Sequence, residues 1–219
     1  YASLCKGGKM MKGLLLKDLY IAKSNILVTI VSLIVLGFGL SVLLEASALL
    51  VLAPPCATTA VFISITSDAN SKWSKNVITM PVSRSQIIGE KFILFIILSV
   101  LGIMAALIPC GVLAIFGAEI TLASLLLYGS IGVSAALFAG CFSLPCAYFF
   151  DPDKSQIVFL MSFLASTGII VALVLLINLF IPVKGNILLP FNIVLIIAAI
   201  FFFVSHKIAV MAYQKKDIT

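Results

Sequence analysis

Charge is scarce in this sequence. Asp, Glu, Lys and Arg make up 10% of its 219 residues, against about 25% in soluble globular proteins. A chain so poor in polar groups cannot cover a folded body of this size, which excludes a soluble domain. Histidine occurs once; His206 stands beside Lys207 at the end of an apolar run, the position of an interfacial residue rather than a catalyst. The five cysteines are an odd number and four fall inside apolar runs, the usage of small buried hydrophobes and not of a disulfide framework. Cys141 and Cys146 have no His or carboxylate nearby, so no metal site is expected. Also missing are a G-x-x-x-x-G-K-[ST] phosphate loop, HExxH, GxSxG and paired intramembrane carboxylates. The chain has no ATP-hydrolysing engine and no catalytic or cofactor-binding residues of its own. Ion-coupled carriers place ionisable groups at mid-bilayer; here every charge lies at the end of an apolar run.

Hydrophobic residues, in contrast, make up 63% of the chain, with a mean hydropathy of +1.28. They form six runs, at 24–44, 46–67, 92–118, 120–150, 155–183 and 185–206, each long enough to cross about 30 Å of hydrocarbon. The expected fold is therefore all-α, a single polytopic membrane domain over 11–219 with six transmembrane helices. The run 120–150 exceeds what a bilayer requires and is expected to tilt or break near Pro145. Residues 1–10 read as leader sequence ahead of a start at Met10 or Met11. Of the 14 Lys and Arg residues, every one except Lys184 falls on one side of the alternating spans. The positive-inside rule then puts both termini in the cytoplasm. The net charge of +6 is explained by this orientation and does not call for a nucleic-acid partner.

Two cytoplasmic segments stand out. Over 11–23, Met11, Leu14, Leu15, Leu19, Ile21 and Ala22 share one helical arc, with Lys12, Lys17 and Lys23 opposite; Leu16 and Tyr20 widen the apolar side. This predicts an amphipathic helix lying on the membrane. Asp18 falls inside the apolar arc, where an unpaired carboxylate is costly, so it is expected to pair with Arg84 or Lys91. The loop 67–91 is too long for a plain hairpin connection. Asp68 is placed to cap a helix over 70–80 that ends at Pro81, and Ser83 with Gln86 forms a capping box for a helix entering the third span. At the fourth–fifth junction, Asp151 and Pro152 suit an N-cap and first helical position, with Lys154 as an interfacial anchor. Inside the spans the polar candidates are Asn178, Thr58 and Thr59, expected to make helix–helix hydrogen bonds.

Several stretches together resemble the permease subunits of bacterial type-2 ATP-binding-cassette (ABC) exporters, in a small six-span branch common in Firmicutes. They are Met11-Lys-Gly-Leu-Leu-Leu-Lys-Asp-Leu-Tyr20, Trp73 followed by Met80-Pro-Val-Ser-Arg84, Glu90-Lys91, Ser143-Leu-Pro145 ahead of Asp153-Lys154, and the tail Ser205-His-Lys207 through Lys215-Lys-Asp217. Where family members usually carry Leu, Met80 stands here; where they carry an F-G-like step, Phe150-Asp151-Pro152 stands. The resemblance implies a half-transporter in the bacterial cytoplasmic membrane, with an elbow helix before the first span and a coupling helix between the second and third. Two permeases, identical or homologous, would pair on separate ATPase subunits that hold the ATP and Mg. Relatives export phenol-soluble modulins, or export or resist antimicrobial peptides.

On this basis Asp68, Lys72, Trp73, Lys75, Met80, Pro81, Ser83 and Arg84 are candidate ATPase-coupling residues, with Trp73 and Met80 as apolar anchors. Leu14, Leu15, Asp18 and Leu19 are the elbow-helix candidates. Breaks at Pro54, Pro55 and Pro109, with small residues at Ala57, Gly102, Ala105 and Ala106, mark a candidate substrate path for an amphipathic or apolar substrate along a seam between subunits. The competing class is the substrate-binding membrane component of a vitamin-uptake transporter. That class calls for small residues spaced on the first span, which here is dominated by Leu, Ile and Val. A membrane-embedded enzyme is disfavoured by the missing catalytic groups.

Overall fold

The computed structural model describes the backbone of residues 2–40, 45–71, 84–116, 120–149, 155–180 and 187–215, and most side chains of these segments between residues 13 and 211. Every regular element in them is helical: α1 (Ala2–Leu40), a single 3-10 turn (Ala46–Ala48), α2 (Leu49–Asn70), α3 (Arg84–Ile115), α4 (Leu122–Phe149), α5 (Ser155–Phe180) and α6 (Leu188–Lys215). All six long helices are apolar and long enough to cross a membrane. The chain is a multi-pass membrane protein, with the cytoplasmic membrane as the location its composition fits.

α2 is the most buried span because it packs against α1, α3, α4 and α5 together. Around its second half lies an aromatic core in which Phe62 meets Phe159 of α5 at 4.8 Å between ring centroids, and Phe202 of α6 meets Phe92 at 5.1 Å and Phe95 at 5.7 Å. A second cluster of Leu33, Leu49, Leu50, Ala53, Ala105 and Ala106 fills the other end. A third, from Ala135, Phe138, Ile170, Val194 and Ala198, joins α4, α5 and α6. α1 and α5 turn rows such as Val28, Val31, Val35 and Leu164, Val171, Leu175 outward, apolar faces suited to lipid tails.

Prolines inside transmembrane helices free a carbonyl four residues earlier, and in lipid that oxygen needs another partner. Pro145 frees the carbonyl of Cys141, and the Ser205 hydroxyl of α6 donates to it at 2.6 Å. Of the tilt or break expected near Pro145, the break is absent: α4 runs unbroken through it. Pro54 frees the carbonyl of Leu50. There the backbone of α4 comes so close that a Cβ added at Gly132 would sit 2.1 Å from the Leu50 oxygen. Only glycine permits that approach.

The expected elbow is not a separate element. Residues 11–23 continue without interruption into the first span as one helix of 39 residues, about 58 Å at 1.5 Å per residue and roughly twice the hydrocarbon thickness. Part of its apolar arc faces protein: Leu14 and Ala22 are buried and Leu15 and Leu19 half-buried, while Ile21 of the same arc and the flanking Leu16 and Tyr20 are exposed. The second span begins with the 3-10 turn and runs to Asn70. Asp68 thus sits inside the last turn of α2, and the helix that it was expected to cap lies outside the described residues. The proposed helix over 70–80, with Lys72, Trp73, Lys75, Met80, Pro81 and Ser83, lies outside the described residues, as do Asp151, Pro152 and Lys154 and the side chain of Arg84. α3 runs from Arg84 to Ile115, so the segment after 83 and the third span form one helix.

Candidate functional site

The polar centre of the subunit lies where the start of α3 meets α1 and the end of α2. The Lys91 ammonium has three N–H donors and three acceptors around it. It donates to Asp18 Oδ2 on α1 in a short ion pair, to Ser64 Oγ at 2.7 Å and to Asp68 Oδ2 at 2.8 Å, both on α2. Lys17 Nζ reaches Asp68 Oδ1 at 2.6 Å and lies 3.2 Å from Asp18 Oδ1. The four charges alternate around a closed ring, Lys17, Asp68, Lys91, Asp18, with no net charge. Asp18 is 0% exposed and Lys91 4%, whereas Lys17 and Asp68 keep 25% and 19%. The ring is sealed on its inner side and reaches solvent on the other.

Local sequence explains each position. Asp18 occupies the centre of the arc bracketed by Leu14 and Ala22, four residues away on either side, so packing the arc carries it inside. Ser64 and Asp68 are likewise four residues apart and share one face of α2. Lys91 opens the long apolar stretch of α3 beside Phe92. From α6, the His206 ring approaches the same end, edge-on to Phe92 at 5.0 Å and facing Gly89, where an added Cβ would stand 3.5 Å from Nε2. This end gathers the first part of α1, the end of α2, the start of α3 and the end of α6, the charge-rich side that the Lys and Arg distribution assigns to the cytoplasm.

Of the candidate residues, the structure brings together Asp18 and Asp68 through lysines. The cation opposite Asp18 is Lys91. The Asp68 carboxylate binds Lys17 through one oxygen and Lys91 through the other. Lys17, Ser64 and Glu90 were not among the sequence candidates. Their signal was faint: Glu90-Lys91 directly before an apolar run, and one serine in an apolar span. Thr58 and Thr59 bond within their own helix, to the carbonyls of Pro55 and Cys56, and not across helices.

At the opposite end, Pro54, Pro55, Ala57, Gly102, Ala105, Ala106 and Pro109 cluster on the α1–α2–α3 contact. Gly102 packs on Ala53 and Ala57, with an added Cβ 2.6 Å from the Ala53 oxygen, and Gly37 faces Pro109 and Leu49. Ala106 is fully buried. The seam expected between subunits is filled by this chain's own α2, because glycine and alanine let α2 and α3 approach to backbone contact. Among the described residues no group of His, Cys, Asp and Glu is arranged to hold a metal.

Comparison with known proteins then decides the class. The family model described as ABC-2 family transporter protein matches residues 13–214. The chain belongs to the ABC-2 transporter family. No curated protein and no solved structure gives a match. An ABC-2 protein is the membrane component of an ABC transporter and works with an ATPase subunit. The chain is accordingly a permease subunit, and the six apolar spans belong to that role. The charge ring lies at the roots of the segment 72–83: Asp68 is four residues before it, Lys91 eight after.

Proposed function

We propose that this permease forms half of an exporter for amphipathic or apolar molecules, such as peptides of the toxin or antimicrobial class, in the membrane of a Gram-positive bacterium. The observation that carries the proposal is the distribution of charge. The ring at the cytoplasmic end is closed on itself, and from 24 to 40, 49 to 67, 92 to 115 and 155 to 180 no Asp, Glu, Lys or Arg occurs. A hydrophilic ion crossing such walls meets an uncompensated desolvation cost, whereas the hydrocarbon face of an amphipathic peptide does not. A second permease subunit, identical or homologous, completes the path, and the α2–α3 seam with Pro54, Pro55, Gly102, Ala106 and Pro109 supplies the helices that shift. The segment 68–84 receives the ATPase: Trp73 and Met80 enter an apolar groove, Lys72 and Lys75 meet acidic rim residues, and Pro81, Ser83 and Arg84 lead back into α3. Desolvated aromatic anchors tend to dominate such contacts.

The test is ATP hydrolysis by the permease–ATPase complex in lipid nanodiscs, titrated with a cationic amphipathic helical peptide and with a hydrophilic peptide of equal charge. Stimulation by the amphipathic peptide alone supports the substrate class. Equal stimulation by both, or by the hydrophilic peptide only, refutes it without touching the permease assignment.

A further inference from the structure

The ring of Lys17, Asp68, Lys91 and Asp18 is already neutral, and all three donors of Lys91 are used. Yet a fifth ionisable group is enclosed with it. Glu90 is 1% exposed, its carboxyl lies within hydrogen-bonding reach of the Asp18 carboxyl, and its Oε1 is a buried oxygen with no donor among the described residues. Asp18 Oδ1 is in the same position, since Lys17, 3.2 Å away, is not aligned to donate to it. Two facing carboxylates would leave one negative charge unbalanced in a closed site and two acceptors unsatisfied, a costly arrangement. A single proton held between them removes the excess charge and supplies the missing hydrogen bond. Among the described residues, the charged side chains that contact this cluster are Lys17 on α1, Asp68 on α2 and Lys91 on α3, with His206 on α6 nearby and Lys23 and Lys207 exposed at the same end. His206 stacks edge-on to Phe92.

We propose that Glu90 is a positioning residue that carries a proton and donates it in a hydrogen bond to Asp18, locking α1 against the start of α3. Through Lys91 and Asp68 the same lock fixes both roots of the segment 72–83. Rotation of α3 at that segment then turns α1 with it. The functional half of this proposal rests on the permease assignment; the protonated carboxyl does not, and the two can fail separately.

The experiment uses the full chain with its ATPase in lipid nanodiscs. Infrared difference spectroscopy at neutral pH, wild type minus Glu90→Gln, should show the carbonyl-stretch band of a protonated carboxylic acid. Gln keeps an N–H donor toward Asp18, so Glu90→Gln should retain most ATP-driven transport. Glu90→Leu removes the donor and should lower transport about tenfold, the effect of losing one hydrogen bond to a charged group. An assembled Glu90→Leu complex that hydrolyses ATP but transports poorly identifies a coupling defect; if that variant does not assemble, the band and the Gln variant still decide. Absence of the acid band from the difference spectrum, or a Gln variant as impaired as the Leu variant, overturns the proposal.

Discussion

Lys91 spends each of its three protons on a different acceptor, and two of those acceptors are carboxylates on different helices. Its removal leaves Asp18 charged and fully buried, with Lys17 at 3.2 Å as the remaining cation among the described residues. Breaking a buried pair from one side costs about 3–5 kcal/mol, so Lys91→Met should lower the denaturation midpoint of the detergent-solubilised subunit clearly. The combination with Asp18→Asn should recover part of that loss, because the stranded charge is gone. Lys17→Ala should cost less than about 1 kcal/mol, the range of a partly exposed pair that solvent screens. A Lys17 variant as damaging as the Lys91 variant would contradict the division of the ring into a sealed and an open side. The need of Asp18 for a cation was legible in the sequence, since one acid interrupted an otherwise apolar arc. That Lys17 would share Asp68, and that Glu90 would be drawn into the same enclosure, was not. Those contacts depend on which turns of α1, α2 and α3 lie level, and hydrophobic periodicity gives no such register.

Among the helices, α4 shows how neighbours repair what a proline breaks. Ser205→Ala removes the hydroxyl that donates to the carbonyl of Cys141, and an unsatisfied buried acceptor costs about 1–3 kcal/mol. The expected outcome is a loss of stability with α4 retained, seen as a lowered melting midpoint at unchanged helical circular dichroism. Gly132→Ala should be worse tolerated than Gly168→Ala. At Gly132 the new Cβ would meet the Leu50 backbone oxygen, which cannot swing away, whereas nothing lies within 4 Å of a Cβ at Gly168. Comparing the two variants in yield and melting midpoint separates close helix approach from a general intolerance of α-carbon substitution. The six spans themselves were readable because apolar runs of bilayer length leave few alternatives. Their interruptions were misjudged where a proline looked like a break. Only the neighbouring helix decides whether a freed carbonyl finds a donor, and the identity of that neighbour is a tertiary fact. The same reason accounts for α1: a basic amphipathic stretch can lie on lipid or pack on protein, and here Lys91 of α3 offers a partner for Asp18.

For the whole molecule, the end that the Lys and Arg distribution assigns to the cytoplasm is where its charged residues converge. Membership of the ABC-2 family supplies an ATPase partner, and the charge ring stands between the segment that we propose meets it and the helices that it must move. Trp73→Ala combined with Met80→Ala should reduce retention of the ATPase on the purified permease by about tenfold or more, the effect of truncating interface anchors. Unchanged retention would take these two side chains out of the contact.

The most direct measurement is transport in proteoliposomes containing the permease alone, the permease with its ATPase, and the permease with an ATPase whose catalytic carboxylate has been neutralised. A fluorescent amphipathic peptide serves as cargo, in the presence of ATP or of an imposed proton or sodium gradient. ATP-dependent movement only with the intact ATPase, and none driven by either gradient in the permease alone, is the predicted result. Gradient-driven accumulation by the permease alone would contradict the claim that this chain carries the path without the power.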